Sequence, residues 1–168
     1  MLAILLIIIG ITLRVAPHPA NFTPVAAIAL FGGAYLNKKY AVAIPLALMI
    51  ASDILIGMHN VVAFTWGAFI LTALIGMRIK GRKSTRSILA TSLISSLLFF
   101  VVSNFGVWAM GWYPRTLSGL LNCYWMGLPF LRNFTLATVA YSAVFFGLYE
   151  FTARYIKNTK LASVLLTD

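Results

Sequence analysis

The residues able to do chemistry in this chain are few, and most stand in apolar surroundings. Asp53, in the run Ile50-Ala51-Ser52-Asp53-Ile54-Leu55-Ile56-Gly57, is one of three acids in 168 residues, beside Glu150 and Asp168. A carboxylate inside an apolar segment faces a cavity or a partner. Asp53 acts either as a ligand, cation or proton contact, or as half of a structural ion pair. Arg14 and Arg132 are the nearest cations by predicted depth. Glu150 lies four residues before Arg154, the spacing of a structural ion pair on one helix face.

His18, His59 and the single Cys123 offer soft or borderline ligands for a transition metal or a metal-containing cofactor. Their spacing matches no protein metal motif, so neither a metal nor a cofactor is expected. One cysteine excludes an intrachain disulfide and a multi-cysteine zinc site. Ser103 and Asn104, in Val101-Val102-Ser103-Asn104-Phe105-Gly106, are polar groups within an apolar run. There an asparagine either bonds a neighbouring helix or lines a wet pocket. Arg14, Arg115 and Arg132 together make a face suited to carboxylate or phosphate, or else reach to lipid headgroups. No nucleophile elbow, zinc-protease helix or phosphate loop is present, so an enzyme is not expected.

The elements that must position these groups are apolar helices. Hydrophobic residues make up 61 % of the chain and charged residues 10 %, about a quarter being usual for a soluble protein. Mean hydropathy is +0.94. Six apolar segments can be drawn, at 2–15, 22–36, 40–56, 61–79, 88–112 and 133–155. Asn21 is placed to cap the second, with Pro24 in its first turn, and Asn133 opens the sixth. A span needs about 20 residues, so the first three are short and call for tilt, thinning or burial. The apolar start is expected to be a retained first span, because it lacks a basic leader and a small-x-small cleavage site. The expected fold is an all-α, six-transmembrane-helix bundle forming one membrane domain over residues 1–168.

Ten of the thirteen Lys and Arg residues fall in three clusters, at 38–39, 78–86 and 154–160. In six spans these become alternate loops and the C-terminal tail, and basic loops stay cytoplasmic. Both termini are therefore expected in the cytoplasm. The +10 net charge then sets orientation; it lacks the basic face or stripe that nucleic-acid binding requires. Small residues at Gly32/Gly33 and at Ala43, Ala47 and Ala51 suit close helix contacts.

The outer loop at 111–132 is too long for a turn and too apolar for solvent. Pro114 and Pro129 bracket a stretch, 115–126, expected to form a short interfacial helix between spans five and six. Trp108, Trp112, Tyr113, Tyr124 and Trp125 form either an aromatic belt at the membrane surface or part of a ligand site.

Four motifs carry a resemblance: Arg14 to Ala34 (RVAPHPANFTPVAAIALFGGA), Ser52 to Gly57 (SDILIG), Ser103 to Trp108 (SNFGVW) and Tyr113 to Asn133 (YPRTLSGLLNCYWMGLPFLRN). Together they resemble a family of small bacterial proteins described as transport proteins, similar in turn to the substrate-binding S components of energy-coupling-factor vitamin transporters. The resemblance implies six helices in the cytoplasmic (inner) membrane, an outward-opening pocket for a small vitamin-like molecule, and an energising module or other membrane subunit as partner. Some solitary S components resemble vitamin B12 carriers with a cysteine as cobalt ligand, a role that would fall here on Cys123. Two departures are visible. Ala137 and Thr138 stand where that family has an acid after the Arg-Asn, and the first span has only Ala3 and Gly10 for a small-residue docking face.

The expected ligand site combines Asn21 and Phe22, Asp53, Asn104 and Trp108, and Tyr113, Cys123, Tyr124 and Arg132. Aromatic rings would stack a flat ligand, Asn and Asp would bond its polar edge, and Arg132 would meet an anionic group. The rival expectation is a non-catalytic accessory subunit of a larger membrane complex. Thiol labelling of intact cells tests the shared premise: probes at residues 80–83 should be protected and probes at 115–123 reactive. Equal reactivity would remove the outward pocket.

Overall fold

The segment with the smallest side chains lies at the centre of the molecule. The computed structural model describes residues 1–166. They run α1 (Leu2–Val15), α2 (Val25–Tyr35), α3 (Ala43–Ile56), α4 (Val62–Arg78), α5 (Thr85–Ala109), α6 (Leu117–Ile156) and α7 (Ala162–Leu165), with no strand among them. Every residue of α2 is buried, and α1, α3, α4, α5 and α6 all pack against it. Alanine and glycine at positions 26, 27, 29 and 32–34 let the neighbouring backbones approach.

The closest approach is reciprocal. A Cβ on Gly33 would lie 2.1 Å from the Ala73 carbonyl oxygen of α4, and one on Gly76 would lie 2.2 Å from the Leu30 carbonyl oxygen of α2. Gly32 makes room for Pro45 of α3, where a Cβ would lie 2.5 Å from the proline ring. The expected contact role of Gly32/Gly33 is thus met. Ala43, Ala47 and Ala51 make no such contact within the bundle: all three face outward while Pro45, Met49, Ser52 and Asp53 turn inward.

Local chemistry sets the helix ends. Ala16 is extended before Pro17, as a pre-proline residue prefers, and this ends α1. Asn21 has φ 57° in the connecting turn, a conformation asparagine tolerates better than most residues. It therefore does not cap α2; Pro24 takes that position. The Ser84 and Thr116 side chains cap α5 and α6 by accepting from Ser87 N and Gly119 N, at 3.2 and 3.1 Å.

The separate interfacial helix expected at 115–126 is absent. That stretch is instead the start of α6, which continues through Pro129 for 40 residues. Proline inside a helix removes one hydrogen bond, and apolar helices tolerate this where neighbours hold the segment. Asn133 is interior to α6 and is no cap; its amide donates to the Ala20 carbonyl at 3.2 Å and ties the helix to the α1–α2 loop.

The basic clusters gather at one end of the bundle. Lys80 Nζ donates to the Leu36 carbonyl at 3.0 Å, and Lys83 Nζ lies 4.0 Å from the centre of the Tyr35 ring. Glu150 joins the same group by accepting from Tyr35 Oη at 2.6 Å, and no ion pair joins it to Arg154 among the described residues. The expected Glu150–Arg154 pair is replaced by this longer-range bond. The α1–α2, α3–α4 and α5–α6 connections lie at the opposite end.

Two helices, α5 and α6, are long and apolar enough to cross a membrane. Only 22 % and 33 % of their apolar stretches are buried within the protein. The other apolar helices have 11 to 17 residues. Alanine at Gly33 or Gly76 should destabilise the bundle by at least about 1–3 kcal/mol, the usual cost of overpacking. Gly67→Ala meets no atom within 4 Å and should be neutral or mildly stabilising. Thermal unfolding of the purified variants in detergent measures the difference.

Candidate functional site

The acid singled out in the sequence proves to be a structural clamp. Asp53 is 1 % exposed and both carboxylate oxygens are occupied. Arg14 Nη2 donates to Oδ1 at 2.5 Å and Trp66 Nε1 to Oδ2 at 2.7 Å. Arg14 Nη1 adds donations to Ser52 Oγ and to the Met49 carbonyl, the latter at 3.4 Å. One guanidinium and one carboxylate thus join the end of α1 to α3 and α4. Of the two roles open to Asp53, the geometry realises the ion pair with Arg14; Asp53 lines neither lobe of the cavity described next.

Beside the clamp lies a two-lobed cavity. The first lobe, about 330 Å³, sits between α5 and α6 and is lined by Asn21, Thr65, Phe99, Phe100, Ser103, Asn104, Val107, Tyr113, Cys123, Met126, Gly127, Phe130, Leu131 and Phe134. The second, about 440 Å³, lies under the α1–α2 loop and includes Arg14, His18, Thr23 and His59. Asn21, Thr65, Phe99 and Phe134 line both, so the lobes meet there. The Phe99 and Phe134 rings form the junction, with centroids 4.8 Å apart.

No charged side chain lines the first lobe. Its polarity comes from amides and hydroxyls. Asn104 Nδ2 donates to the Phe100 carbonyl at 2.9 Å, leaving Oδ1 only the weak thiol of Cys123, 4.0 Å away. Cys123 Sγ also lies 3.4 Å from the Asn104 carbonyl, which fixes its hydrogen toward α5. Gly127 keeps this corner open, because a Cβ there would lie 2.7 Å from Asn104 Oδ1. Thr65 Oγ1 donates to the Val62 carbonyl and keeps its acceptor capacity.

Asn21, Asn104, Tyr113 and Cys123 are the expected site residues that line this lobe. The other five serve elsewhere. Phe22 packs on Tyr141, with ring centroids 5.9 Å apart. Trp108 Nε1 donates to the Pro114 carbonyl at 3.0 Å and secures the α5–α6 turn. Tyr124 Oη donates to the Val101 carbonyl at 2.7 Å, on the outer side of the α5–α6 seam. Arg132 is exposed and lines neither lobe, and Asp53 is spent on the clamp.

The walls missed in the sequence are aromatic: Phe99, Phe100, Phe130 and Phe134. On α6 the lining positions 123, 126, 127, 130, 131 and 134 follow helical three- and four-residue spacing. A break assumed at Pro129 concealed that face. His18 lies against the Pro19 and Arg14 carbonyls, at 3.0 and 3.1 Å, and no cluster of three or more metal-binding side chains occurs among the described residues.

The fold and cavity define an all-helical protein with two membrane-length helices and an aromatic cavity lobe lined by no charged side chain. Residues 1–161 match a family described as a family of unknown function (DUF6580), and the chain belongs to it. No curated protein and no solved structure matches the chain.

Removing one partner of a buried ion pair strands the other, at a cost of about 3–5 kcal/mol. Asp53→Asn and Arg14→Met should each lower stability on that scale. The double variant Arg14→Met/Asp53→Leu should recover part of the loss, which a double-mutant cycle of melting temperatures in detergent will measure.

Proposed function

We propose that this protein is an integral membrane substrate-binding or uptake protein, similar to an S component, that takes up a small vitamin-like or cofactor-like molecule. All six longer helices form a bundle in the cytoplasmic (inner) membrane with both termini inside, and the 40-residue α6, about 60 Å long, extends beyond the hydrocarbon. The short central α2 is shielded by its neighbours, so its length need not match the hydrocarbon. The cation-rich end faces the cytoplasm, and the two-lobed cavity opens outward. Transport relies on an energising module or another membrane subunit, since the chain has no nucleotide-binding loop.

The cavity carries this reading. Its lobes, at about 330 and 440 Å³, are of the size that holds small organic ligands. Phe99, Phe100, Phe130 and Phe134 offer faces and edges to a flat ring. Asn21, Asn104, Thr65 and Tyr113 offer donors and acceptors to its polar edge. With no cation in the first lobe, the part of the ligand lodged there is uncharged, and the anion contact expected of Arg132 has no place. Chemical catalysis is not part of the role.

The accessory-subunit reading is favoured by a different observation. Ala43, Ala47 and Ala51 form an exposed small-residue stripe on α3 that would let another apolar helix approach. Native mass spectrometry of the protein taken from its own membrane separates the two. A stoichiometric small molecule supports uptake; a fixed set of protein partners without one supports the subunit. If a molecule is retained, Asn104→Ala should weaken its binding about tenfold, equivalent to about 1.4 kcal/mol for a desolvated hydrogen bond. Arg132→Gln should leave affinity unchanged. The reverse pattern would overturn the assignment of the first lobe.

A further inference from the structure

At the cation-rich end a separate groove of about 430 Å³ opens between α5 and α6, with Lys83, Thr85, Ser92, Glu150 and Arg154 among its lining residues. Its remaining walls are mostly apolar side chains such as Leu89. Lys83 is held over the Tyr35 ring, and the Tyr35 hydroxyl donates to Glu150, so the groove's acid is already hydrogen-bonded. Arg154 makes no ion pair with a described residue. Two cations thus face one carboxylate, beside the positive N-terminal end of α5.

Deeper in the same groove, Ser92 is 0 % exposed and its hydroxyl has no hydrogen-bond partner. An unsatisfied buried hydroxyl is costly, and in a native fold it is met by a water or by a ligand group. Ser92 lies seven residues beyond Thr85, about 10 Å along the helix. The groove therefore offers cations at its mouth, a hydroxyl below them and an apolar wall between.

We propose that this groove binds one anionic phospholipid of the cytoplasmic leaflet. The phosphate lies among Lys83, Thr85 and Arg154, an ester oxygen accepts from Ser92, and an acyl chain follows the α5–α6 seam. Basic pockets between helices on the cytoplasmic side recognise anionic headgroups. A free phosphate would use only the mouth and leave Ser92 and the apolar wall unoccupied. The proposal rests on the membrane reading above but not on the outer cavity or its ligand.

The full chain is reconstituted in nanodiscs of equimolar palmitoyl-oleoyl phosphatidylglycerol and phosphatidylcholine, and native mass spectrometry counts the retained lipid. One phosphatidylglycerol per chain is expected, enriched about thirtyfold by two cations at about 1 kcal/mol each. Arg154→Gln, which breaks no ion pair, should abolish most of the enrichment; Lys83→Gln should do the same, and Ser92→Ala should shorten retention of the lipid. Equal retention of the two lipids, or enrichment unchanged in Arg154→Gln, would overturn the proposal. Displacement of the lipid by millimolar inorganic phosphate would overturn the acyl-chain contact. Release of the chain from membranes by salt alone, checked beforehand, would overturn the membrane reading and this site with it.

Discussion

The ion pair between Arg14 and Asp53 is the interaction on which the cavity end of the molecule depends. It gathers the last turn of α1, the last turn of α3 and the first part of α4 at one point. The α1–α2 loop departs from Arg14, and the Asn133 amide holds its far side at Ala20. Asn21 therefore reaches the junction of the two lobes because its loop is tethered on both flanks. A charge taken out of water is tolerated only when its partners are complete. Here the carboxylate has Arg14 and Trp66, and the guanidinium has Asp53, Ser52 and Met49.

Small polar residues share the interior with the apolar core, and the outer faces are apolar as well. Ser52, Asp53, Thr72, Ser92, Ser95, Ser96, Thr138 and Ser142 are buried, while leucines and isoleucines of α1, α3 and α5 face outward. Several of the buried hydroxyls donate back to their own helix: Thr72 to Ala68, Ser96 to Ser92 and Thr138 to Phe134. Such bonds satisfy a hydroxyl without help from another element. They let small polar residues act as spacers between helices whose outer faces carry the apolar bulk.

Much of the plan was legible in the sequence because it rests on one-dimensional signals. The segment expected at 61–79 folds as Val62–Arg78, and the one at 2–15 as Leu2–Val15. The clustering of lysine and arginine corresponds to one end of the bundle. Pairing was less legible. The sequence offered Asp53 either Arg14 or Arg132, and only the approach of α1 to α3 selects between them. Trp108 and Tyr124 looked like stacking groups, yet their polar atoms bond the Pro114 and Val101 carbonyls. Pro129 and Asn133 carried the signature of a new helix start. Contacts from the α1–α2 loop and α5 instead support one continuous rod, so a local rule gave way to tertiary packing.

The reciprocal glycines of α2 and α4 have a mechanical corollary. With Gly33 against a carbonyl of α4 and Gly76 against a carbonyl of α2, the two backbones touch without side chains between them. A contact of that kind has no rotamers through which to yield. Under the membrane placement proposed above, lipid would press on the outer helices and never on the buried α2. The periphery would then lean about a stiff central axle, and the space between α5 and α6 would absorb the strain.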